Sequence, residues 1–273
     1  MTADAVFAAA LDTAQRTATA ISQLSSTEEV GLDTAYATQH ALIARRLARG
    51  ERIAGLKLGF TSQAKAQQMG VHDVIIGTLT DAMRLDDGAA FDRRSAIHPR
   101  IEPEVAYLLA SDIDGTDING AGADRPLSEL VAAVAPALEI IDSRYRDFRF
   151  SLSDVVADNT SAAGYVIGPW TPFDRAGTPD NRAVRLEVDG RVAATGSTAA
   201  ILGDPGRAIA AAARLAARHG FTLRAGTVLL AGAATAAVPL PDNGLVEATI
   251  TGLGRVSIRT HDGADSLIPG GTR

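Results

Sequence analysis

The run Pro99-Arg100-Ile101-Glu102-Pro103-Glu104-Val105 sets two carboxylates two residues apart at the head of the apolar stretch Ala106-Tyr107-Leu108-Leu109. A β-strand alternates its side chains, so Glu102, Glu104, Ala106 and Leu108 share one face and Pro103, Val105, Tyr107 and Leu109 the other. Two like charges side by side in a mostly apolar strand repel and lose hydration. A cation between them, or a proton on one, relieves both costs. Glu139 stands in similar company within Ala137-Leu138-Glu139-Ile140-Ile141. Three oxygen donors without a thiolate suit Mg²⁺, or Mn²⁺, rather than zinc. A solvated Glu-x-Glu face is the plainer reading of the first pair, and a buried Lys or Arg would serve Glu139 without metal. The three together favour a metal site.

Other polar residues lie in apolar settings. Lys57 sits in Ile53-Ala54-Gly55-Leu56-Lys57-Leu58-Gly59 and on a strand shares a face with two glycines, which leave space around its ammonium group. It is either an edge lysine with its head in water or a cation facing an anionic substrate. Asp158-Asn159-Thr160-Ser161 follows the apolar Val155-Val156-Ala157; such a cluster is often a turn or cap, and it could also supply hydrogen-bond donors to a carboxylate, with Asp158 as a catalytic candidate and Asn159 and Ser161 as substrate-binding ones that orient substrate or metal-bound water. Gly232-Ala233-Ala234-Thr235-Ala236 is small-residue backbone suited to tight packing or to close approach of a ligand, with Thr235 as its polar member.

Helices and strands must position these groups. Residues 4–24 have helical spacing of Phe7, Leu11, Ala14, Ala18 and Ile21. A second helix runs from Asp33 as N-cap to Gly50, with an inner stripe of Tyr36, His40, Ile43 and Leu47, His40 being a core or interface histidine. From about residue 51 the chain turns β-rich. Strands are expected at 52–59, 103–110 and 137–142, with a short helix from Ser62 to Met69 and another near 127–135. Residues 184–194 form a hairpin on Asp189-Gly190, Asp204-Pro205 opens a helix ending at Gly220, and strands follow within 226–240 and 245–259. Gly252-Leu253-Gly254 has no helix after it, so it is turn chemistry and not a dinucleotide fingerprint. The sum is an α+β chain: a helical region over 1–50 and a β-rich catalytic domain over 51–273, built on a mixed sheet or barrel-like core.

Composition sets outer limits. The chain has 273 residues, 46% hydrophobic and 21% charged, with a net charge of −6. Such a balance, without a dense basic run, argues against a nucleic-acid partner. Absence of cysteine excludes disulfides, thiolate metal sites and cysteine nucleophiles. No apolar run reaches ~18 residues and no signal-like segment opens the chain, so the expectation is a cytoplasmic protein with no membrane partner.

Four segments occur here in the order found in one known family: Gly55-Leu56-Lys57-Leu58-Gly59-Phe60-Thr61-Ser62, His98 to Glu104, Leu138-Glu139-Ile140-Ile141-Asp142-Ser143-Arg144, and Val156-Ala157-Asp158-Asn159. The chain thereby resembles, over roughly residues 30 to 260, the 2-keto-4-pentenoate hydratase / 4-oxalocrotonate decarboxylase family within the fumarylacetoacetate hydrolase superfamily. The resemblance implies a fumarylacetoacetase-like β core, a divalent metal (usually Mg²⁺) on Glu102, Glu104 and Glu139, and an active-site lysine at Lys57. Asp81 resembles a family acid, or caps a loop; Arg144 either binds a carboxylate or pairs with Glu139 or Asp142. Asp142 to Phe150 and Gly232 to Val238 look like the decarboxylase branch. The implied reaction is decarboxylation of 2-oxo-3-hexenedioate, a small dicarboxylic 2-oxo acid, to 2-hydroxypenta-2,4-dienoate. The alternatives are a hydratase acting on that dienoate and a non-catalytic partner of a hydratase. A homo-oligomer, in complex with a hydratase of the same pathway, is the expected assembly.

Overall fold

The computed structural model describes residues 2–26, 29–62, 73–114 and 125–263. Its strands are β1 (Ile53–Gly59), β2 (Ile75–Thr80), β3 (Arg84–Leu85), β4 (Ala90–Asp92), β5 (Arg100–Leu109), β6 (Val131–Ile141) and β7 (Ala162–Ile167). They continue as β8 (Thr171–Pro172), β9 (Ala183–Val188), β10 (Arg191–Ser197), β11 (Val228–Ala233), β12 (Val238–Pro239), β13 (Gly244–Ile250) and β14 (Gly254–His261). Nine form a mixed sheet in the order β2-β1-β11-β5-β6-β7-β3, with β12 beside β5 and β8 beside β6. The ends of that order, β2 and β3, are joined by only the three residues Asp81–Met83. So short a link forces the sheet to curl until its edges meet, giving the barrel-like core expected from the sequence. A second sheet, β10-β9-β13-β14-β4, packs beside it.

Strand alternation sorts the apolar residues into three layers. Ala106, Ala135, Ala137, Tyr165, Val228 and Leu230 fill the inside of the curl. Leu56, Leu58, Val105, Tyr107 and Leu229 point outward and share one apolar cluster with Phe7, Leu11, Ala35 and Leu42 of the N-terminal helices. Ile101, Leu138, Ile140 and Val166 meet Leu186, Val246, Val256 and Ile258 of the second sheet. The small alanines on the inner face leave the interior of β5 and β6 room for long side chains.

Four helices of more than one turn surround the sheets among the described residues: α1 (Ala3–Arg16), α2 (Leu32–Ala48), α3 (Leu152–Ala157) and α4 (Arg207–His219). Several differ from the sequence expectation. α1 stops at Arg16, not residue 24: Ala18 adopts φ 46°, and Ile21 instead exchanges backbone hydrogen bonds with Arg144 and Arg146. α2 begins at Leu32 and buries Ala35, Tyr36, Thr38, Gln39, Leu42 and Ile43, leaving His40 and Leu47 exposed. His40 instead meets the carbonyl of His219 at the end of α4, 2.8 Å away. The helix expected near 127–135 is a single turn, Leu127–Leu130, and then becomes β6. Most of β6 is buried, so its apolar run has no alternation to distinguish it from a buried helix. α4 starts at Arg207, since Asp204 caps a preceding turn by accepting from the Gly206 amide. The Asp189-Gly190 hairpin and the turn at Gly252-Leu253-Gly254 form as read. The short helix expected from Ser62 to Met69 falls, from residue 63 on, outside the described residues. No helix among them is long and apolar enough to cross a membrane.

Candidate metal centre and active site

Strand parity and register assemble the chemistry on the inner face. Glu102 of β5 pairs directly with Glu139 of β6, and Glu104 lies opposite Ala137. An oxygen of each carboxylate lies within 4.8 Å of the others. Glu104 and Glu139 are both 0% exposed and Glu102 is buried, so the half-exposed Glu-x-Glu reading does not describe them. β1 lies between β2 and β11 and is not an edge strand; Lys57 is only 3% exposed. Its Nζ is 3.0 Å from Glu139 Oε1 and donates to the Thr160 carbonyl at 3.1 Å. The flanking glycines do not make room for the ammonium: a Cβ at Gly55 would lie 2.4 Å from the Val228 carbonyl oxygen. Gly77, the partner of Lys57 on β2, makes room instead for the turn that faces the lysine, because a Cβ there would strike Thr160 Oγ1 at 2.3 Å.

Glu104 Oε2 accepts from the Gly232 amide at 2.8 Å. Gly232 sits where the β11–β5 register shifts, at φ 112°, and a Cβ there would lie 2.0 Å from Thr61 Oγ1. A positive φ and a hydroxyl in the place of a Cβ together require glycine. Glu104 Oε1 and Glu139 Oε2 are buried and accept no hydrogen bond. Among the described residues Lys57 is the cation that acts on Glu104 and Glu139, and buried acceptors without donors are costly. A hard divalent cation with oxygen preference fits that deficit.

Burial pushes Glu104 well above the usual carboxylate range, with Glu139 and Glu102 adding to the effect. Burial also raises Glu139 to about 7, against the pull of Lys57. On Lys57 burial acts downward, but Glu139, Glu104 and Glu102 outweigh it and hold the ammonium above its ordinary value. Protons therefore compete with a cation for these oxygens. Raised carboxylate pKa values mean more bound protons as pH falls through about 7, so Mg²⁺ affinity should drop several-fold from about pH 8 to about pH 6, with proton release on binding. Calorimetric titration in buffers of different ionisation enthalpy checks this; an affinity flat across that range would contradict the carboxylate site.

The turn behind Lys57 is held in an uncommon conformation. Asn159, Thr160 and Ser161 have φ of 47°, 53° and 60°. Each non-glycine residue there costs about 1–2 kcal/mol, and β-branched Thr160 is the least suited. Its surroundings fix it. Asn159 clamps Thr78 of β2, Oδ1 accepting from the amide at 2.8 Å and Nδ2 donating to the carbonyl at 2.9 Å. Asp158 accepts from the Arg144 amide at 3.0 Å and pairs with its guanidinium. Arg144 also donates to the carbonyls of Asp142 and Ala162. Burial raises Asp158 to about 6 even with Arg144 beside it. The strained turn aims the Thr160 carbonyl at Lys57, and its Thr160 and Ser161 line the same cavity as Lys57 and Glu102.

The structure thus brings together Lys57, Glu102, Glu104, Glu139 and Ser161. Asp158, Asn159 and Arg144 bond to one another and to β2 around the turn; Arg144 pairs with Asp158, not with Glu139 or Asp142 through their carboxylates. Thr235 donates to the Ala236 carbonyl, and Ala233 stands at the cavity wall in its place. Asp81 is exposed and accepts from the amides of Arg52 and Ala82, which fixes the link between β2 and β3. Sequence reasoning missed Thr160, Phe60, Phe148 and Phe150, all cavity-lining. Thr160 belongs to the polar cluster 158–161, which was the available signal; the phenylalanines carry none that separates a cavity wall from a core.

The Fumarylacetoacetate (FAA) hydrolase C-terminal family matches residues 60–260. A 4-oxalocrotonate decarboxylase from Pseudomonas sp is 47% identical over 252 residues, covering 92% of this chain and 95% of the relative. A 2-keto-4-pentenoate hydratase from Paraburkholderia xenovorans is 34% identical over 85% of this chain and 84% of its own length. The solved structure of 4-oxalocrotonate decarboxylase from Pseudomonas putida G7, complexed with magnesium and adipate, superposes with a TM-score of 0.87 at 33% identity, over 94% of this chain and 97% of that one.

Proposed function

We propose, from the premise that the chain belongs to the fumarylacetoacetate hydrolase family, that it is a Mg²⁺-dependent decarboxylase converting 2-oxo-3-hexenedioate (4-oxalocrotonate) to 2-hydroxypenta-2,4-dienoate and CO₂. The observation that carries this reading is the buried constellation itself: Lys57 against three carboxylates, two of whose oxygens accept no hydrogen bond, beside an aromatic-walled cavity. Greater identity to a decarboxylase than to a hydratase, 47% against 34%, favours the first over the second. A scaffold without catalysis has no use for so costly a buried cluster. Mn²⁺ would suit the same oxygen donors.

Glu102, Glu104 and Glu139 would hold the cation, which when bound supplies Lewis acidity to the 2-oxo acid end of the substrate. The electron pair of the C5–C6 bond then passes through the C3–C4 double bond into the C2 carbonyl oxygen as CO₂ departs. Lys57, kept protonated by the three carboxylates, stabilises the negative charge growing on that oxygen and is placed to give it a proton. Thr160 fixes the ammonium through its carbonyl, and the hydroxyl of Ser161 offers a donor to a substrate carboxylate. Phe60, Phe148 and Phe150 keep water from the reacting end. We further place the protein in the cytoplasm of a cell that degrades aromatic compounds, as a homo-oligomer in complex with the hydratase that consumes its product. Incubation with each substrate separates the readings: CO₂ release from 2-oxo-3-hexenedioate is expected, whereas loss of the dienoate chromophore of 2-hydroxypenta-2,4-dienoate would make the chain a hydratase.

A further inference from the structure

We propose that Arg100, stacked on Phe148 at the exposed edge of the cavity, binds the distal carboxylate of the substrate and selects dicarboxylic over monocarboxylic 2-oxo acids. This subsite rests on the reading of the cavity as a decarboxylase active site. Arg100 opens β5 and lies on the same strand face as Glu102 and Glu104, by alternation. Two strand residues, about 6.8 Å, separate it from Glu102, comparable to the length of a six-carbon diacid. Its partner across β5–β6 is Ile141, which lines the cavity.

The guanidinium carbon stands 4.8 Å from the centre of the Phe148 ring. Phe148 is itself set by a left-handed turn, Asp147 and Phe148 both at φ 59°, and packs between His98 and Phe150 with ring centres 5.0 and 5.9 Å away. Among the described residues no carboxylate pairs with Arg100. A guanidinium held over a ring, with its donors unspent, is oriented in advance for bidentate recognition of a carboxylate. A monocarboxylic 2-oxo acid would leave it idle, so Arg100 discriminates by binding.

The test compares 2-oxoadipate with 2-oxohexanoate, which differ in the distal carboxylate, by calorimetry on the Mg²⁺-loaded protein. Arg100→Gln should weaken 2-oxoadipate about tenfold and change 2-oxohexanoate by less than about twofold. KM for 2-oxo-3-hexenedioate should rise and kcat should not fall, because the ion pair is given up as the carboxylate leaves as neutral CO₂, and Arg100→Lys should restore part of the loss in KM. Equal effects on both ligands, or none on 2-oxoadipate, would overturn the subsite while leaving the metal centre standing. Failure of both 2-oxo acids to bind the Mg²⁺-loaded wild type would overturn the active-site reading and the subsite with it.

Discussion

Glu104→Gln is expected to lower turnover of 2-oxo-3-hexenedioate by about 10³-fold or more, because it removes one of three anionic donors from the cation site. The fold should survive. Glu104 is buried among like charges, with Glu139 and Glu102 both raising the cost of its ionisation. An amide in its place keeps the acceptor for the Gly232 amide and removes one negative charge from an over-negative cluster. Without metal, Glu104→Gln should therefore melt at or above the temperature of wild type. Glu139→Gln should behave oppositely: metal-free, it melts lower, since Lys57 loses its partner at 3.0 Å. Added Mg²⁺ should raise the melting temperature of wild type and of neither variant. A full Mg²⁺-induced rise in both variants would make the carboxylates an ion-pair network with Lys57 and nothing more.

Lys57→Met carries the second large effect. Lys57 is far from neutral to its surroundings, being buried, paired with Glu139 and bonded to the Thr160 carbonyl. Metal-free, the variant takes the Lys57 ammonium from buried Glu139 and Glu104, so its melting temperature should fall, and Mg²⁺ should restore much of it. Mg²⁺ affinity should not drop, because an ammonium repels a cation and is no ligand. Turnover tells the rest. Loss of a charged hydrogen bond to the developing oxyanion in a water-poor site is worth roughly 2–4 kcal/mol, or about 10²–10³ in rate. Because that contact belongs to the transition state, kcat and kcat/KM should fall together. A Mg²⁺-saturated Lys57→Met protein with wild-type kcat would reduce Lys57 to a counter-ion.

The carboxylates were legible in the sequence because period-two spacing and an apolar setting are local signals. Glu102 and Glu104 could be put on one strand face, and Glu139 marked as a charge in need of company, before any contact was known. What could not be read is who supplies the company. The direct pairing of Glu102 with Glu139 depends on β5–β6 register, and Lys57 reaches Glu139 only because the sheet curls. The same limit hid the partners of the polar cluster. Asp158, Asn159 and Arg144 are polar and buried, as a binding residue would be, yet each meets another part of the chain. Their partners are distant in sequence or set by a left-handed turn that the intrinsic preference of Thr160 opposes. Glycines misled in a smaller way: Gly55 serves the packing of β1 on β11, while Gly77, on the neighbouring strand, admits the Asn159–Thr160 turn whose carbonyl meets Lys57. Among the elements, the first half of β6 and the end of α1 escaped because near-complete burial erases alternation and because a tertiary backbone pairing at Ile21 overrides helical spacing.

Metal-dependent loss of CO₂ is the core of the proposed chemistry. It is measured directly as CO₂ released from 2-oxo-3-hexenedioate by protein stripped with EDTA, then by the same protein after Mg²⁺ is returned, with the product followed by its dienoate absorbance. Release at background rate is expected from the stripped protein, with recovery on Mg²⁺ addition and one 2-hydroxypenta-2,4-dienoate formed per CO₂. Undiminished release without metal, or no release with Mg²⁺ present, would contradict a metal-dependent decarboxylase.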